Sequence, residues 1–199
     1  MNGKNMWRVG VLVLALILMA SSGSFGALTP ADQLQEALEY IAREDYGQAV
    51  DVLENALLTL REKAPLKIEN TALVTEIYQF GAYDKKDNSI FAPDEPILIY
   101  SEVRNFTSEK IGPELWAIRL REDFQLLDVD DNVQVEQKEF AKIELTFRTP
   151  RLTDLFLRNT ISLTGAPPGD YKIKIIVTDV SSGKKVDLVV PISIKEKGG

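Results

Sequence analysis

The chain changes its hydrophobic rhythm twice. Val9 to Ala20 is an unbroken apolar run. Between Leu34 and Leu60 apolar residues recur every three or four positions, the spacing of a helix with one apolar face. Thr29-Pro30 offers an N-cap and a first-turn proline, and Asp32 suits the positive helix start. Leu34, Ala37, Leu38 and Ile41 then predict a first helix to about Ala42. Glu44-Asp45 breaks the pattern. A second helix is expected from about Tyr46 to Lys63, with Ala49, Val52, Leu53, Ala56, Leu57 and Leu60 on its inner side and Pro65 ending it.

From Leu66 the period falls to two, as in strands. Thr71 to Tyr83 mixes β-branched and aromatic residues, with Gly81 as a candidate bulge. Asn88 to Pro96 reads as a loop, and Ile97 to Phe106 as a second strand. In Leu115 to Leu127, Trp116, Ile118 and Leu120 alternate with Ala117, Arg119 and Arg121. An acidic turn at Asp128 to Asn132 leads into Val133 to Phe147; after an interruption at Thr149-Pro150, Leu155 to Leu163 follows. In the last hairpin Tyr171, Ile173, Ile175 and Val177 face one way. Ser181-Ser182-Gly183-Lys184 turns the chain, and Val186, Leu188, Val190, Ile192 and Ile194 return it. Pro191, with no amide to donate, predicts an edge. About seven strands with no intervening helix predict a mainly β fold, an antiparallel sandwich preceded by a two-helix hairpin. The expected divisions are 1–26, 27–65 and 66–199.

Charge gives the apolar run its meaning. Lys4 and Arg8 precede it, and Ser21, Ser22, Gly23, Ser24 and Gly26 follow, the order of a secretory signal peptide cleaved after Gly26. The run is short of the ~20 residues that span a bilayer. Extended to Leu28 it reads instead as a signal anchor, the one route by which this chain would engage a membrane. Both readings place the rest of the chain outside the cytoplasm: periplasm, cell envelope or secreted. Without the leader's two cations the chain carries 21 Lys+Arg against 30 Asp+Glu, a net charge of −9. Such a chain repels nucleic acid. Lys184-Lys185 and Lys195 to Lys197 are small solvated groups, not a basic stripe.

The 199 residues contain no Cys and no His. Disulfides, Ser-His-Asp and Cys-His catalysis and the usual zinc sites are thereby excluded. No catalytic residue and no cofactor is predicted.

Two resemblances refine the fold. Ala37, Tyr40, Asp45-Tyr46, Ala49, Leu53, Ala56 and Leu57 resemble one tetratricopeptide unit, departing at Arg61 where the repeat has proline. The strand region resembles immunoglobulin-like and fibronectin-like modules. That resemblance implies Trp116 as a core tryptophan, and Tyr171, close behind Gly169, as a tyrosine corner. The order of signal, short helical region and strand ending in Asn105-Phe106 resembles an uncharacterised exported bacterial family, which implies location and fold but no activity.

Some side chains invite chemistry. Asp128, Asp130 and Asn132 alternate like calcium-loop ligands, with Glu139 at the closing distance; Val133 stands where that loop needs glycine, and an acidic β-turn is the alternative. Glu102, Glu109, Glu114, Glu122 and Asp123 are the carboxylates from which a glycosidase pair would be drawn. Tyr78, Phe80, Tyr83, Phe91, Tyr100 and Phe106 would stack on sugar if exposed in a row, or fill the core. Asn105-Phe106-Thr107 is a glycosylation sequon. The expected function is a non-catalytic envelope protein whose sandwich binds or scaffolds a protein partner. The alternatives are a carbohydrate-binding module at the cell wall and an exported protease inhibitor presenting the Asn88–Pro96 loop.

Overall fold

A computed structural model describes residues 28–148 and 153–196. The expected signal segment and the Thr149-Pro150 interruption lie outside the described residues. The protein is mainly β with two leading helices. Helix α1 spans Pro30–Ala42 and α2 spans Tyr46–Lys63. Thr29 caps α1 in a reciprocal box: its Oγ1 accepts from the Asp32 amide at 3.2 Å, and its own amide donates to Asp32 Oδ2 at 3.0 Å. Asp45 caps α2 through the Gln48 amide at 3.3 Å, and Pro65 follows the C-cap Ala64.

Among the described residues ten strands follow: β1 (Lys67–Gln79), β2 (Ala82–Lys85), β3 (Ile90–Phe91), β4 (Ile97–Arg104), β5 (Glu109–Gly112), β6 (Leu115–Leu127), β7 (Val133–Phe147), β8 (Leu155–Ile161), β9 (Gly169–Asp179) and β10 (Lys185–Ile194). They form a four-stranded sheet, β2-β1-β4-β8, and a six-stranded sheet, β3-β10-β9-β6-β5 with β7 on the other edge of β6. Among the described residues only the β3–β10 pair is parallel.

The inward faces of the two sheets share one core. Ile97, Ile99 and Val103 of β4 and Leu155, Leu157 and Ile161 of β8 meet Ile118, Leu120, Phe124 and Leu126 of β6, Ile173, Ile175 and Val177 of β9, and Leu188, Val190 and Ile192 of β10. The alternation of β6, β9 and β10 is the cause: each odd or even set buries against the other sheet.

Three short strands, β2, β3 and β5, raise the expected seven to ten. Gly81 is no bulge within a strand. It turns β1 into β2 at φ +71°. The Asn88–Pro96 loop contains β3, whose Phe91 is buried at 2% exposure, so the segment is stapled to β10. Pro191 lies in β10 opposite Lys172 of β9, and β10's outer edge is covered by the two residues of β3 alone. The missing donor therefore costs no ladder bond.

The end nearest the helices is closed by polar links. Lys184 Nζ donates to the Asn105 carbonyl at 3.0 Å and to the Arg61 carbonyl at 3.4 Å, and Asn105 Nδ2 donates to the Pro65 carbonyl at 2.9 Å. Asp179, fully buried, accepts from the Thr107 amide at 2.8 Å, Ser182 Oγ at 2.6 Å and the Ser181 amide at 3.1 Å. Asp179→Asn keeps one acceptor oxygen and loses the other. A loss of about 1–2 kcal/mol is expected in urea unfolding, with no change in far-UV circular dichroism.

Candidate functional site

The two helices meet through alanine. Ala37, Ala49 and Ala56 are the buried residues of α1 and α2. The larger apolar side chains stay outside this seam: Leu34, Leu38 and Ile41 of α1 are 53%, 51% and 42% exposed, and Tyr46, Val50, Leu53, Leu57 and Leu60 of α2 range from 38% to 62%. This corrects the expectation that Leu53, Leu57 and Leu60 lie inward. Small residues let the helices approach closely, so the contact is narrow and the leucines fall to one side of it.

At about 100° per residue, each apolar stripe is centred roughly 60° round from its helix's buried alanines. The short Arg43–Asp45 connection makes the helices antiparallel neighbours. The two offsets therefore turn to the same side, and the stripes form one continuous apolar face. On α2 the spacing from Tyr46 through Val50, Leu53 and Leu57 to Leu60 is four, three, four, three. That is the seam spacing of a coiled coil. The body of the protein meets the outer flank of α2, where Leu58 and Arg61 line a cleft of about 80 Å³ with Arg104, Phe106, Ser108 and Trp116, and Leu57, at the edge of the stripe, borders a second cleft with Thr153.

Trp116 is thus not a core tryptophan. It is half-buried at the first turn of β6, with Lys110 Nζ 5.4 Å from its ring centroid, while Ile118 and Leu120 hold the core positions. Tyr171 donates from Oη to the Pro167 carbonyl at 2.9 Å, with its ring 3.5 Å from where a Cβ on Gly169 would stand.

The calcium candidates separate. Asp128 Oδ1 accepts from the amides of Asp130 and Asn132, both at 2.9 Å, and its Oδ2 from the side chains of Asn132 and Gln134. The Asn132 side-chain bond, with these amides, holds its carboxyl below the ordinary carboxylate range. Glu139 sits in a bulge of β7 at φ +51°, where its amide donates to Asp123, five residues along β6 from Asp128. Five residues of strand are about 16 Å. An acidic turn accounts for the cluster, and among the described residues no three Asp or Glu side chains gather around a metal position.

The other carboxylates also scatter. Glu109 pairs with Arg119 on the outside of the six-stranded sheet, Glu114 lies exposed in the β5–β6 turn, Asp123 faces the β7 bulge, and Glu122 points into the core. Glu102 lies on the outer face of the four-stranded sheet but is only 3% exposed, because the β1–β2 turn curls over it. There the Gly81 amide donates to Tyr100 Oη at 2.7 Å, Tyr100 donates to Glu102 Oε1 at 2.9 Å, and Arg104 Nη2 donates to Glu102 Oε2 at 2.9 Å. Arg104 also reaches Glu69 and Asp154 and lies 5.2 Å from the Phe80 ring centroid. Burial raises the Tyr100 hydroxyl above its usual range, and the Glu102 bond adds to this. This is a sealed bracket with both carboxylate oxygens occupied.

Of the six aromatics, Phe91, Tyr100 and Phe106 are buried and Phe80 and Tyr83 half-buried; Tyr83 packs on Tyr100 with centroids 4.2 Å apart. Tyr78 is exposed, tied to Asp84 at 2.7 Å, and this bond is the main reason its hydroxyl is pushed up to about 12. These rings form no exposed row for a sugar.

No family model matches the sequence, and no curated protein matches it. Among solved structures, the chain is similar to the alkylpurine DNA glycosylase AlkC of Pseudomonas fluorescens, bound to DNA containing an abasic site analog. The identity is 10% and the TM-score 0.37, over 81% of this chain and 42% of that one. It is also similar to the sporulation control protein Spo0M of Bacillus subtilis, at 12% identity and TM-score 0.34, over 67% of this chain and 51% of that one. The chain spans about half or less of each. Scores of this size identify neither a shared fold family nor a shared activity.

Proposed function

We propose that this is an exported, non-catalytic envelope protein that works by binding another polypeptide. In this reading its body is an immunoglobulin-like sandwich and its helical pair is the docking element. The observation that carries the binding is the open apolar face of α1 and α2. Eight large side chains in one stripe exceed what scattered surface hydrophobics explain, and contiguous patches of this kind mark interaction sites. The absence of His and Cys and the separation of the candidate carboxylates leave the face without a competing chemical site.

The sandwich reading is supported by strand order. A first strand beside the second and a later one (β1-β4-β8) opposes a sheet in which a short early strand runs parallel to the last (β3-β10-β9-β6-β7), an arrangement of immunoglobulin type. The Tyr171 bond to Pro167, four residues back at the entry to β9, is the contact of a tyrosine corner. Export rests on the Lys4/Arg8, apolar, small-residue order of the leader.

A photo-crosslinking amino acid at Val50, in the chain expressed in its producing cell, is expected to give a protein adduct in the envelope fraction. The same probe at Glu76, on the exposed β1–β2 hairpin, is expected to give none. Absence of any adduct at Val50 would end the protein-binding reading.

A further inference from the structure

We infer that the apolar face of α1 and α2 pairs with the same face of a second copy of this chain, forming an antiparallel four-helix bundle that joins two β bodies. This rests on the protein-binding reading above and names the partner.

The exposed area is sufficient for such a pairing. Eight large side chains about half exposed present on the order of 600–700 Å² per copy. Two such faces together reach the ~1,200 Å² at which specific interfaces begin. The periodicity of the helices agrees. A strict four-three seam on α2, flanked by Leu34, Leu38 and Ile41 at the same spacing on α1, suits helices crossing at about 20° in a bundle. A two-helix unit with both stripes on one side is half of such a bundle, and a two-fold axis completes it with no other component.

Let α2 run antiparallel to its copy with Leu53 packed on the partner's Leu57. Val50 then meets the partner's Leu60, and the two-fold axis makes each of these contacts twice. Glu54 and Arg61 stay outside this seam, lining a cleft with Thr153 of the body. Over residues 28–64, eight acidic against three basic side chains give 3 − 8 = −5 per hairpin, so the copies repel at long range. Salt screens that repulsion.

The test is sedimentation velocity on the protein as its producing cell makes it, from low micromolar to about 100 µM. The expected result is a monomer–dimer equilibrium that tightens several-fold from low to high salt. Leu53→Glu with Leu57→Glu is expected to abolish the dimer. Both residues are exposed in the monomer, so its circular dichroism is expected to stay unchanged. Leu38→Glu, on the α1 half of the same face, is expected to weaken the dimer at least ten-fold. A protein monomeric at every concentration, or a dimer indifferent to the two leucines, overturns the inference. A monomer whose Val50 probe captures a different protein, or its own leader, also overturns it. Capture of a different protein leaves the broader binding reading standing, whereas a monomer with no adduct ends both.

Discussion

Arg104→Met is expected to destabilise the protein by about 2–4 kcal/mol, below the full cost of breaking a buried pair because the arginine keeps some solvent contact. The side chain is 23% exposed and its partner Glu102 is 4% exposed. Removing the guanidinium leaves Glu102 Oε2 without its 2.9 Å donor, while Oε1 still accepts from Tyr100. The carboxylate cannot reach water, because the β1–β2 turn covers it: Gly81 is anchored to Tyr100 Oη, and Phe80 lies against Arg104 itself. The loss should therefore come from a stranded buried charge more than from a lost attraction. Adding Glu102→Gln removes that charge and is expected to recover at least half of the loss. Urea denaturation of the four members of this cycle measures both effects. If the double variant is no more stable than Arg104→Met alone, Glu102 is not the stranded group, and the bracket holds the sheet by packing instead.

The bracket had a trace in the sequence. Ile97 to Tyr100 are four apolar residues in a row, so the strand does not alternate as its neighbours do, and such a run marks a strand covered on both faces, as its burial shows. What covers it depends on how a distant turn folds back, and no local pattern carries that. The helices were legible because caps and period act locally: Thr29-Pro30 and Asp45 start them where the residue types predict. Which side of the hairpin would close was not legible. Alanine and leucine both count as apolar in a periodic pattern, and the choice of an alanine seam depends on how near the helices approach.

Trp116 shows a related limit. Its parity with Ile118 and Leu120 is right, but it sits at the very start of β6, beside β5 and the helical end. Parity says which way a side chain points and not whether the opposite sheet extends far enough to cover it. The calcium candidates failed for the converse reason. Spacing along the chain brought Glu139 near Asp128 in number, while a hairpin ladder carried it away in space. Glu122 was within reach of the same parity argument, for it occupies the inward set of β6 with Ile118, Leu120, Phe124 and Leu126.

That position makes Glu122 the source of the second large effect. Its carboxyl is 1% exposed, and Asn159 of the opposite sheet donates to its Oε1 at 3.2 Å. Burial raises its pKa above 4.5, and the Asn159 bond opposes the shift without cancelling it. An acid whose folded pKa is raised binds its proton more tightly folded than unfolded. Its contribution to stability is therefore fully present below the unfolded value and is lost as pH rises through the folded value. Glu122→Gln keeps an oxygen to accept from Asn159 and carries no ionisable proton. The variant should match the parent in acid, where both side chains are neutral. It should become more stable than the parent as pH rises past 4.5, reaching about 1–3 kcal/mol in neutral and mildly alkaline buffer. Thermal melts of both proteins across that range check the sign: the two curves of melting temperature against pH should diverge upward from a common acid limb. Parallel curves would mean that Glu122 finds solvent or an unseen cation when ionised, and that the polar link across the core is open rather than sealed.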